Sequence, residues 1–70
     1  MHIAIVPDKM YGNFRKAYWA FDYLSISDMG KTSAGVHLLF IHASWKDVEP
    51  FKNHVNMLYR DNGIRWAREE

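Results

Sequence analysis

No cysteine occurs in this chain of 70 residues, so nothing covalent can staple a domain that sits near the lower size limit for a single hydrophobic core. Stability has to come from packing. The means are four Phe, four Tyr and three Trp, a density greater than so small a core can hide. Aromatic side chains left over at the surface of a small domain mark contact sites.

A hydrophobic share of 49% against 24% charged residues belongs to a globular chain and not to a disordered one, and residues 1–70 read as a single domain. The formal net charge of +1 excludes an acidic mimic of nucleic acid and offers no general attraction to DNA or anionic lipid. Lack of Cys suits a reducing compartment. Met1 to Val6 is apolar but carries no basic flank, and Pro7-Asp8 ends it far short of a membrane span or the core of a signal peptide. The expectation is a cytoplasmic chain without a membrane partner.

His2 to Val6, rich in β-branched residues and cut by Pro7, predicts a first strand. The punctuation of Pro7, Asp8, Gly12 and Asn13 predicts a loop from Asp8 to Asn13, with Asn13 capping a helix from Phe14. Residues 14–24 carry two periodicities. Phe14, Ala17, Tyr18, Phe21 and Leu24 recur at helical spacing, while Trp19, Phe21 and Tyr23 alternate as in a strand. Two alanines and no β-branched residue before Ile26 favour the helix.

Ser25 to Gly35 is small and polar and reads as a loop; Val36 to His42 is an apolar run of strand length. A second helix follows. With Asp47 as its cap, Pro50 falls in the first turn, Val48, Phe51, Val55, Leu58 and Tyr59 form the apolar stripe, and Gly63 supplies a left-handed residue past the end. Ile64 and Trp66 then share one face of a short terminal strand with Arg65 on the other, and Arg68, Glu69 and Glu70 are expected to fray. The sum is an α+β domain of order β-α-β-α with a short C-terminal strand.

Catalytic motifs do not survive inspection. Gly30-Lys31-Thr32 resembles the end of a phosphate-binding loop, but Ser25 stands where the first glycine belongs and no helix follows. His37 and His42 point to opposite faces of one strand and cannot chelate together, while His2 and His54 lack a paired partner, so no metal or cofactor is expected. Ser44 and His42 share a strand face, yet Ser44 is explained by capping or turn formation. No pair of carboxylates with a lysine has the spacing of a metal-dependent nuclease.

What remains is a surface. If Phe14, Ala17, Tyr18, Phe21 and Leu24 face the core, Trp19 and Tyr23 fall on the far side beside Arg15 and Lys16, and Arg65 with Trp66 extends the set. Such residues dominate protein interfaces. The expected function is a small non-enzymatic binding module, an inhibitor or accessory regulator that occupies a surface of a larger protein. The alternative is binding of single-stranded nucleic acid by stacking, and a third use of exposed aromatics is self-association as a homodimer. If residues 14–24 were a strand, Trp19, Phe21 and Tyr23 would instead form one row facing the core.

Overall fold

The computed structural model describes residues 2–60 and 62–68. Its elements run β1 (His2–Pro7), α1 (Asp8–Trp19), β2 (Ile26–Lys31), β3 (Val36–Ile41), α2 (Trp45–Leu58) and β4 (Arg65–Arg68). The strands form one antiparallel sheet of order β2-β3-β1-β4. Each β-α-β unit therefore leaves a gap that a strand of the other unit fills, the split β-α-β topology of the ferredoxin-like architecture. The fold is α+β, and it contains one strand, β2, more than the sequence pattern predicts.

Both helices lie on the same face of the sheet. His2, Ala4 and Val6 of β1 alternate inward and pair with Ile41, Leu39 and His37 of β3. Against them pack Met10, Phe14 and Ala17 of α1 and Val48, Phe51 and Val55 of α2. Phe51 sits at the centre, meeting Phe14 at 5.4 Å, Phe21 at 5.3 Å and Trp66 at 5.9 Å, each edge to face. That geometry sets the positive ring edge against the negative ring face and adds attraction to the burial.

The boundaries of both helices differ from the sequence pattern. Asp8–Asn13 is helix, not loop: Pro7 takes φ −57° and ψ 146° at the cap, and Asp8 opens α1 with its carboxylate at the positive end of the helix dipole. Asn13 is consequently an interior residue, and Gly12 is carried within the helix. The helix also stops at Trp19, so Phe21 and Leu24 reach the core from the turn after it.

Residues 26–31 are a strand although their composition is that of a loop. As the sheet's outer strand, β2 is exposed along most of its length, so no apolar alternation is required of it. A bulge interrupts its pairing between Asp28 and Lys31, where Gly30 takes φ +87° and donates its backbone N–H to Asp28 Oδ1 at 2.8 Å.

Helix α2 begins at Trp45, capped by the Ser44 backbone, which accepts from the amides of Asp47 and Val48. Pro50 therefore lies inside the helix, where it has no N–H to give the Lys46 carbonyl. The hydroxyl of Tyr23 donates to the next carbonyl, that of Asp47, at 3.1 Å. Val48, Phe51 and Val55 are buried as the stripe predicts, but Leu58 ends the helix 55% exposed, and Tyr59 turns inward instead. Gly63, at φ +79°, turns the chain into β4 within 3.2 Å of Pro7 for any added Cβ. Arg68 belongs to β4; Glu69 and Glu70 lie outside the described residues.

Candidate functional site

Once α1 starts at Asp8, Tyr11, Arg15 and Trp19 stand four residues apart and share one helix face. The Arg15 guanidinium carbon lies 5.6 Å from the centre of the Tyr11 ring and 5.0 Å from that of Trp19. Both distances are within cation–π range. Among the described residues the guanidinium has neither a hydrogen bond nor an ion pair, and its Nε is buried without an acceptor. Trp19 is 58% exposed and packs edge to face only with Tyr18 among the rings. The result is a positive planar group held between two rings at the surface.

Lys16 is exposed in the last turn of the same helix, where a cation suits the negative end of the dipole. Tyr23 is also 58% exposed but stands in the turn after α1, its hydroxyl tied to α2. Trp19 and Tyr23, expected on one helix face, therefore belong to different segments. Arg65 and Trp66 are adjacent on β4 and point to opposite faces of the sheet. Trp66 turns to the helix layer, packs on Phe14 and Phe51, and donates its Nε1–H to Asn56 Oδ1 at 3.2 Å. Arg65 is exposed on the other side.

Tyr11 connects this ladder to a polar cluster that the sequence pattern did not reveal. Its hydroxyl donates to Asp28, and its ring stacks on His37 with centres 3.8 Å apart and planes 9° apart. His37 Nε2 donates to Asp8 Oδ1 at 2.8 Å, and Lys31 approaches the other oxygen at 3.5 Å. The hydrogen bond from His37, followed by the charge of Lys31, holds the Asp8 carboxyl below its ordinary range. Asp28 is held low first by the Tyr11 hydroxyl, which in turn raises the Tyr11 phenol. The cluster fastens α1 to the β2–β3 hairpin. Only the spacing of Tyr11, Arg15 and Trp19 could have exposed the ladder beforehand, and the misplaced helix start concealed it.

Other candidate groups of the sequence have local partners. Ser44 Oγ donates to Asp47 Oδ2 at 3.2 Å, His42 Nε2 lies 2.9 Å from Ser27 Oγ, and the His54 ring packs on Phe21. Among the described residues no group of three or more His, Asp or Glu is placed to hold a metal ion. Trp45 forms a second cation–π cluster, with Lys52 at 5.7 Å and Arg68 at 5.3 Å from its ring centre. Among the described residues no helix is long and apolar enough to cross a membrane.

No protein-family model matches the sequence, and no curated protein or solved structure matches it either. The split β-α-β architecture is a scaffold for many activities and assigns none. Function has to be argued from the surface.

Proposed function

We propose that this chain is a small non-enzymatic protein-binding module, an inhibitor or accessory regulator that occupies a surface of a larger protein through the outer face of α1. Trp19 is the apolar anchor, Arg15 receives an acidic side chain of the partner, and Lys16 steers the approach. The observation that carries the reading is the Arg15 guanidinium, held between Tyr11 and Trp19 without a hydrogen bond or a close ion pair among the described residues. A planar guanidinium already oriented by two rings loses little freedom on accepting a carboxylate, and its fork geometry matches one. Tyr23 adds a second exposed ring in the turn beyond.

Affinity capture from the source cell, with and without nuclease, tests this with the wild-type chain, Trp19→Ala and Arg15→Ala side by side. Expected is one stoichiometric protein that survives nuclease and whose binding weakens at least about thirtyfold with Trp19→Ala, the loss typical of an interface hot spot. Both variants should keep the wild-type circular dichroism, because neither side chain belongs to the core. Recovery that depends on nucleic acid and collapses with rising salt would replace this reading with binding of single strands.

A further inference from the structure

The two central strands are apolar on both faces. Their inward row belongs to the core, but Ile3 and Ile5 of β1 and Leu38 and Phe40 of β3 point the other way, paired as Ile3 with Phe40 and Ile5 with Leu38. None of these four joins the core cluster, and both helices are on the opposite side. An antiparallel sheet with one face in water normally alternates apolar inside with polar outside. Here the outer face reads as a second buried layer that nothing in the chain's described residues covers.

We propose that this open face is the contact surface of a symmetric dimer and that a second copy of the chain covers it. Charge points to that occupant. Ala67 and Ser27 flank the apolar block, and Arg65, on the edge strand, is the only Lys, Arg, Asp or Glu among the described outward-facing residues paired through β1 and β4. Phe40 is the only aromatic in the block. Nucleic acid or an anionic membrane would need several cations, and a base-stacking sheet several rings. A second copy presents the same face with its one edge arginine, and a net charge of +1 gives two copies little reason to repel.

Area sets the strength. Three strands of six residues and one of four, about 4.8 Å apart and about 3.4 Å per residue, give a face of roughly 360 Å² in projection. That is a little under a tenth of the molecule's 4554 Å² surface, somewhat below the share a specific contact takes from a small protein. Two such faces total roughly 700 Å² in projection, small for a specific interface, so the expected dimer is a weak one, in the micromolar range. The proposal is independent of the α1 surface, which lies on the other side of the sheet.

Sedimentation of the full chain from about 1 to 300 μM spans that range. Expected is a monomer–dimer equilibrium whose dissociation constant rises at least about a hundredfold with Phe40→Glu and stays within about twofold with Trp19→Ala. A chain that remains monomeric throughout overturns the proposal. So does a dimer lost with Trp19→Ala but kept with Phe40→Glu, which would place the contact on α1.

Should Phe40→Glu fail to fold, Ala67→Cys keeps the question open to measurement. It creates the sole thiol in the chain, and a spin label there should show one defined distance between copies. No intermolecular distance at concentrations where wild type is dimeric would refute the sheet-face contact.

Discussion

Single residues in this molecule take their meaning from the helix start. Gly12 lies in the second turn of α1, exposed, and a Cβ built on it meets nothing within 4 Å. Its backbone is helical, so alanine fits without strain and removes freedom only from the unfolded chain. Gly12→Ala should therefore stabilise the fold by about 0.5–1 kcal/mol, read as a higher denaturant midpoint at unchanged slope. Destabilisation would mean that the glycine serves a close approach absent from this structure. The same residue misleads the sequence reading, because with Pro7, Asp8 and Asn13 it forms a cluster that elsewhere marks a loop. Trp66 and Leu58 teach the converse lesson. Both are large and apolar, yet Trp66 is a core partner of Phe51 and Leu58 is a surface residue where the helix runs past the sheet. Periodicity tells which face a residue shares, not how far along the element the core extends.

At the scale of elements, the legible parts are those with an apolar pattern to keep: β1, β3, the Val48, Phe51 and Val55 stripe of α2, and the two faces of β4. The illegible part is β2, an outer strand held by main-chain pairing and by a bulge, neither of which needs apolar side chains. What secures it to α1 is the Tyr11–Asp28 hydrogen bond and the Lys31–Asp8 ion pair, with His37 of β3 bonded to the same Asp8, and both carboxyls are held below their ordinary values. A carboxyl depressed in the fold stabilises fully above its unfolded value, near 3.9, and that contribution is lost as pH falls through the folded value. Thermal stability should accordingly fall as pH drops below about 4, and Asp28→Asn should flatten that part of the profile while lowering stability at neutral pH. An unchanged acid limb in the variant would show that the Tyr11 contact does not couple to folding. His2 acts with the same sign at higher pH. Burial first, then neighbouring positive charges including Arg68 and Lys52, hold its imidazole below the usual 6.5, so protonation favours the unfolded chain from there downward.

The whole molecule presents two surfaces on opposite sides of one sheet: a helix layer bearing the Tyr11, Arg15 and Trp19 ladder, and an apolar face with no layer of its own. Covering the second leaves the first outward, so a dimer through the sheet would display two α1 surfaces and bind a repeated or symmetric partner with avidity that neither copy has alone. It would also relieve the weakness of a small core without disulfides, since the face buried between copies contributes to folding. Stability would then depend on concentration in a way that no monomer's can. If the dimer forms, the wild-type melting temperature should climb by a few degrees for each tenfold increase in protein, because mass action favours the associated folded state. Phe40→Glu should melt at one temperature whatever its concentration, and Trp19→Ala should follow the wild type. A wild-type midpoint that does not move with concentration would separate the two surfaces in the opposite sense: the α1 ladder could still capture its partner, while the sheet face would have to be tolerated by the fold uncovered.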